Sequence, residues 1–270
     1  MARLFGVVFF LFLFLGLTAC PLESFAATKP TREKTASARS AGSTTSGKDG
    51  TTDSVDPKAL PVPQMIDAAS FKATKLAAAT PEETARLRES SVAYEKRDYA
   101  GAIAILTPLA ESGSARAAFS LGLMAMRGHG MPMSTETAER WWVRSAKGGF
   151  PDAQYHLGFM YHQSLRGGRN PELIAKLWTH AAAQGQGDAM YGLGYMYRAG
   201  DGIPRDLKKS LKMFTDAANL GHPGAAYEVG LIYKYGQDGT AKDANKARTF
   251  LTKAANAGVS PARQELATLK

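Results

Sequence analysis

The sequence predicts an all-α solenoid, a row of stacked helical hairpins, and two independent series of residues carry that reading. Ala117, Ala153, Ala189 and Ala225 lie 36 residues apart, and each begins the pattern Ala-x-x-x-(Leu/Val)-Gly, completed by Leu121-Gly122, Leu157-Gly158, Leu193-Gly194 and Val229-Gly230. A second series, Gly113, Gly149, Gly185 and Gly221, keeps the same step, with Gly258 one residue late. Two residue types holding one period of this length mark a repeat architecture in which each unit buries its apolar face only against its neighbours. An apolar content of 44% supplies the core such an array needs, and it is unevenly distributed, thinnest in residues 27–80.

The N-terminus reads as an address rather than as part of the array. Arg3 precedes the apolar run Leu4–Leu17 (LFGVVFFLFLFLGL). That run falls short of the roughly 20 residues a membrane-spanning helix requires and suits an export signal. Two processing readings stand side by side. Leu17-Thr18-Ala19-Cys20 resembles the bacterial lipoprotein box, with lipidation at Cys20 and residues 1–19 removed; Ser24-Phe25-Ala26 before Ala27 resembles an ordinary signal-peptidase site, with residues 1–26 removed. Cys20 is the chain's single cysteine, which excludes an intramolecular disulfide. Either route takes the protein out of the cytoplasm. Lipidation would tether it to a membrane in the periplasm, and the alternative is a soluble periplasmic or secreted protein.

Residues 27–80 follow, rich in Thr, Ser, Ala, Lys and Pro, with Phe71 as their one aromatic. Such a composition buries too little apolar area to offset chain entropy, so the expectation is a disordered linker with a span of roughly 40 Å. The chain's net charge of +9 divides as +3 in this segment and +6 in residues 81–270. Bases are interleaved with acids, without the clustered basic face of a nucleic-acid binder, so no nucleic-acid partner is expected.

From residue 81 the hairpins begin. In the third full unit, Ala189, Leu193 and Tyr197 lie four apart on one face of a first helix. The loop Arg198-Ala-Gly-Asp-Gly-Ile-Pro-Arg-Asp206 supplies Gly200 and Gly202 for left-handed backbone, and Pro204 and Asp206 suit the start of a second helix. Leu207–Leu220 then places Leu211, Phe214 and Ala218 inward, and Gly221 ends it as a left-handed cap. The small residues Ala189 and Gly194 allow the paired helices to approach closely. Trp141, Trp142 and Trp178 fall on second helices at core positions.

The motif Ala-x-Tyr-x-Leu-Gly-x-Met-Tyr…Gly-Asp-Gly…Asp…Ala-Ala-x-x-Gly resembles the Sel1-like repeat, a relative of the tetratricopeptide repeat, which Ala189–Gly221 matches almost throughout. The other units depart from it mainly in the loop: Arg127–Pro132 in the first, Ser164–Arg169 in the second, Gly236–Gly239 in the fourth. Upstream, Tyr94–Ala102 has a shorter loop, similar to an ordinary tetratricopeptide unit. The resemblance covers about Glu83–Leu269. It implies a right-handed superhelix of about five α-hairpins, with a closing helix near Pro261–Leu269.

Enzyme chemistry has little foothold. The five histidines form no His-x-x-x-His pair, and neither Gly-x-Ser-x-Gly nor a phosphate-binding Gly-x-x-x-x-Gly-Lys-(Ser/Thr) occurs. No catalytic residue, metal site or cofactor is expected. Cysteine-rich relatives of this repeat class are linked to penicillin binding, but their paired repeat cysteines are missing here.

In arrays of this kind the first helices line a concave surface, reached from positions two, six and nine after the repeat Ala. That selects Phe119, Leu123 and Met126, then Tyr155, Phe159 and His162, then Tyr191, Tyr195 and Arg198, and finally Tyr227, Leu231 and Lys234. The partner-binding candidates are Tyr155, Phe159, His162, Tyr191, Tyr195, Arg198, Tyr227 and Lys234, an aromatic stripe with a basic edge suited to an acidic peptide or helix. The aromatics at position two serve equally well as packing residues. The expected function is a non-catalytic scaffold or adaptor for a protein partner in the bacterial envelope. A carbohydrate or peptidoglycan binder and a secreted effector acting on host proteins are the alternatives. Partner identity and oligomeric state are not readable.

Overall fold

The computed structural model describes residue 71, residues 74–163 and residues 170–269, all within one compact unit, Ser54–Lys270. The expected export signal, Cys20 and most of the expected linker lie outside the described residues.

Among the described residues there are eleven helices and no strand: α1 (Pro81–Glu95), α2 (Tyr99–Glu111), α3 (Ala115–Arg127), α4 (Thr135–Lys147), α5 (Pro151–His162), α6 (Pro171–Ala182), α7 (Gly187–Ala199), α8 (Leu207–Asn219), α9 (Pro223–Tyr235), α10 (Ala244–Asn256) and α11 (Ser260–Ala267). The strongest contacts join consecutive helices, closest within the pairs α1–α2, α3–α4, α5–α6, α7–α8 and α9–α10. Five hairpins and a closing helix result, as the 36-residue period requires.

Each second helix starts at a side-chain cap of the right chemistry. Asp98, Ser134, Asn170, Asp206 and Asp243 accept the amide N–H three residues on, at 2.9, 3.1, 3.0, 2.9 and 2.9 Å. This satisfies one of the four donors a helix leaves open at its N-terminus. The caps are 36 residues apart except the last, which is 37. The loop from Gly236 to Asp243 is one residue longer than the loop from Gly200 to Asp206, which explains why Gly258 runs late. The first hairpin differs in the opposite sense. Its N-cap Thr80 precedes Ser114 by 34 residues, and its short loop turns on Arg97 at φ 63°.

The repeat Ala and Leu/Val positions are the core. Ala117, Ala153, Ala189 and Ala225 are fully buried, and Leu121, Leu157, Leu193 and Val229 are 2% exposed or less. The glycine that follows each Leu or Val faces the bulky residue of the second helix. A Cβ on Gly122 would strike the Trp142 indole, on Gly158 the Trp178 indole, on Gly194 the Phe214 ring, and on Gly230 Leu251. Close approach also brings polar groups within reach: Trp142 Nε1 donates to the Phe119 carbonyl at 3.3 Å, and Ser210 Oγ donates to the Gly194 carbonyl at 2.7 Å.

The boundary expected at residue 81 falls too late. Phe71 is 1% exposed within the main apolar cluster, and Leu76 packs against the same cluster. Composition averages over the segment, whereas docking needs only one large apolar side chain with a place to go.

Candidate partner-binding surface

The twelve residues selected by position divide sharply. Phe119 is 8% exposed, its ring 5.0 Å from Phe150 and 5.2 Å from His156, so it belongs to the core rather than to any groove. Leu123 and Met126 are half-buried against the same cluster. Trp141, Trp142 and Trp178 are buried, as expected of second-helix core positions.

On α5, the Tyr155 ring is stacked on Trp178 at 6.2 Å and tilted against Phe159 at 6.1 Å. Burial pushes its phenol well above the ordinary tyrosine range. Phe159 is 43% exposed, too much for packing alone to account for it. His162 is half-buried with its ring 5.8 Å from Trp178.

On α7 the side chains form a connected polar cluster. Tyr191 stacks on His222 at 4.3 Å, and its hydroxyl lies 3.1 Å from that of Tyr195. Tyr195 donates to Glu228 Oε1 at 2.6 Å while leaving 38% of its surface in solvent. Arg198 Nη1 donates to Glu228 Oε2 at 3.0 Å, its Nε lies 2.9 Å from Asp238 Oδ2, and its guanidinium sits 4.9 Å above the Phe214 ring. Burial, then the hydrogen bond to Glu228, raise Tyr195 far above the ordinary tyrosine range. Burial also raises Tyr191.

On α9, Tyr227 and Leu231 are half-buried. Lys234 has a side chain only 8% exposed and donates to Glu265 Oε2 at 2.6 Å and Thr268 Oγ1 at 2.6 Å. Burial works against its charge, but the hydrogen bonds and charges of Glu265 and Tyr235 together outweigh it and raise the ammonium above its ordinary range.

The expected basic edge is therefore not a set of free cations. Arg198 and Lys234 both stand nine residues after a repeat Ala, and their partners Glu228 and Glu265 both stand three after the next buried Ala, Ala225 or Ala262. One inter-repeat ion pair is thus made twice, tying α7 to α9 and α9 to α11. In the step from α5 to α7 the same acidic position is Gly192, packed against the Trp178 ring. Glu228 and Glu265 were missed by sequence reasoning, which treated each helix alone. The signal was a glutamate in register with the preceding unit's cation. Tyr235, 47% exposed with its hydroxyl donating to Glu265 Oε2 at 2.7 Å, was missed as well.

Of the twelve selected residues, the two that remain well exposed are aromatic. Phe159 and Tyr195 occupy the same position in successive units, flanked by half-buried Tyr155 and Tyr191. What such a surface can offer a ligand is shape and apolar contact. Among the described residues no group of three or more His, Cys, Asp or Glu is arranged to hold a metal ion, and no helix is long and apolar enough to cross a membrane.

Comparison with known proteins agrees with this geometry. The Sel1 repeat family model matches four times, at residues 115–150, 151–186, 187–222 and 223–259, leaving α1–α2 outside its span. The crystal structure of a Sel1 repeat protein from Oxalobacter formigenes is 27% identical, with TM-score 0.62, over 67% of this chain and 72% of that one. The structure of c5321, a protective antigen present in uropathogenic Escherichia coli strains displaying an SLR fold, is 27% identical with TM-score 0.63 over 74% of this chain. This chain spans 41% of that protein's length. None of the curated proteins compared is significantly similar to it. Sel1 repeats commonly act as scaffolds for protein–protein interaction. With four consecutive matches coinciding with four of its five hairpins, the chain belongs to the Sel1 repeat family.

Proposed function

We propose that this protein is an exported, non-catalytic adaptor that holds a protein partner in the bacterial envelope against the aromatic surface of α5 and α7. The observation that carries the reading is the pair Phe159 and Tyr195, 43% and 38% exposed at one repeated position on successive first helices, whereas the other exposed large apolar side chains, such as Met133 and Leu220, do not recur at a shared position. Exposed aromatics in register offer anchors to a peptide or helix lying across successive units. The export part of the reading rests on Arg3, the Leu4–Leu17 run, and the two processing motifs that end at Cys20 and Ala26. Lipidation at Cys20 would add membrane tethering, and the mass of the mature N-terminus distinguishes the two routes. Because Arg198 and Lys234 are engaged in inter-repeat ion pairs, the partner's main requirement is an apolar or aromatic face rather than an acidic one.

The test is a crosslinking pull-down from intact cells with the wild type and a Phe159→Ala, Tyr195→Ala variant of equal helicity and melting temperature. Arg198 is left intact, since its loss would loosen the array. A protein captured by the wild type and lost from the variant is the expected result. Equal capture by both refutes the aromatic surface. Binding to isolated cell-wall sacculi with no protein captured would favour the glycan-binding alternative.

A further inference from the structure

The chain does not simply enter α1; it first crosses the turns between hairpins. Phe71 is buried in the main apolar cluster, and Thr74–Leu76 then pass directly over Gly149. Leu76 N–H donates to Gln184 Oε1 at 3.3 Å, and the Ala77 carbonyl accepts from Arg116 Nη2 at 3.0 Å. Gln184 is itself positioned: its Nε2 donates to the Gly149 carbonyl at 3.0 Å and lies 3.3 Å from Gln154 Oε1. Gln154 is fully buried and donates to the Ala146 carbonyl at 3.2 Å. Gly149, at φ +83°, could not be replaced by a residue with a Cβ even apart from its backbone, because the Cβ would meet the Thr74 carbonyl and lie 3.0 Å from Leu76 N.

This arrangement is not part of the repeat. At the corresponding turns, Gly113, Gly185, Gly221 and Gly258 have nothing within 4 Å of where a Cβ would stand. The counterparts of Gln184 are Gly148, Leu220 and Ala257, and those of Gln154 are Ala118, Met190 and Ala226. Among these turns the amide pair occurs only where the segment crosses, and there it holds a backbone. The ties on the segment's side are few: beyond buried Phe71, only Leu76 and Ala79 are even half-buried, and the rest of residues 74–80 are exposed. With one anchor, one half-buried leucine and two backbone contacts among its described residues, the segment opens locally far more readily than the array unfolds.

We propose that this turn surface is a binding site for an extended peptide, filled here in cis by the chain's own Phe71 and residues 74–80. The ligand it takes in trans is an extended peptide carrying a Phe and, five residues on, a Leu, with small residues after it. The glutamine and arginine read backbone groups and tolerate sequence, while the two apolar side chains set register and specificity. The site does not involve Phe159 or Tyr195 and stands independently of the adaptor reading.

The probe is a fluorescein-labelled synthetic peptide of residues 68–80, followed by anisotropy against the full chain. In the wild type the tethered segment competes at high effective concentration, so binding should be weak. Phe71→Asp, or Leu76→Asp should the first variant lose helicity, releases the segment and should raise peptide affinity at least tenfold. Adding Gln184→Ala, or replacing Phe by Ala in the peptide, should reverse that gain. Equal affinity for wild type and released variants, or none for either, overturns the proposal. Amide exchange in the unaltered chain is the second measure: Leu76 should be slowed relative to a free peptide and lose that protection in Gln184→Ala. Exchange at the free-peptide rate in the wild type overturns it equally.

Discussion

Two glycines in one helix should respond to the same substitution with opposite signs. Gly187 and Gly194 both lie in α7, and replacing an exposed helical glycine by alanine ordinarily stabilises by up to about 1 kcal/mol. At Gly187 the nearest heavy atom to a new Cβ is His222 Cβ, 4.0 Å away, so the ordinary gain applies, reduced at this first-turn position. At Gly194 the new methyl would enter the Phe214 ring. That ring is 0% exposed, packed by Tyr191 and Tyr195 and covered by the Arg198 guanidinium. The Gly194 carbonyl is pinned by the Ser210 hydroxyl at 2.7 Å, so α7 cannot retreat from α8 without breaking a buried hydrogen bond. Overpacking of this kind costs roughly 1–3 kcal/mol, and with both the ring and α7 held in place the upper part of that range, about 2–3 kcal/mol, applies, so that after a helix gain of about 1 kcal/mol a net loss of about 1–2 kcal/mol remains. Urea titration followed by circular dichroism at 222 nm measures both variants. A double-mutant cycle with Phe214→Ala isolates the contact, and the two losses should add to less than their sum by at least about 1 kcal/mol. Gly194→Ala as stable as the wild type, or a strictly additive cycle, would refute the close-packing account.

Two further outcomes can be measured on the same material. Glu228→Gln should destabilise the array by about 1–2 kcal/mol by removing a charged partner shared between Arg198 and Tyr195, and spectrophotometric titration at 295 nm should show one tyrosine ionising at lower pH. Burial holds His156 below the ordinary imidazole value of 6.5, against the pull of Asp152 and Asp188 and with some help from Arg127. The unfolded chain then takes a proton that the folded one refuses, so this residue subtracts stability as pH falls below 6.5 toward its folded value and leaves it untouched above. His156→Gln should therefore flatten the fall in melting temperature between pH 7 and pH 5, and an unchanged slope would count against a buried neutral imidazole.

The period, the hairpins, the capping residues and the close-packing role of Gly194 were all legible in the sequence, because each depends on residues within a few positions or on strict repetition. The surface was less so. Phe119 fits the same positional rule as Tyr155 and Tyr191, yet Phe150 and His156 cover it. Arg198 and Lys234 look like free surface cations until α9 and α11 bring Glu228 and Glu265 to them, 30 and 31 residues away.

By itself the sequence determined that this is an array of five hairpins with a closing helix, since helix starts, stops and apolar faces are local signals that repetition makes unmistakable. Tertiary structure alone decided which of the outward-facing residues remain available and where the extended segment of Phe71 and Leu76 docks. Both depend on contacts between units and across a hundred residues of chain, such as Leu76 with Gln184, whose partners carry no shared local pattern.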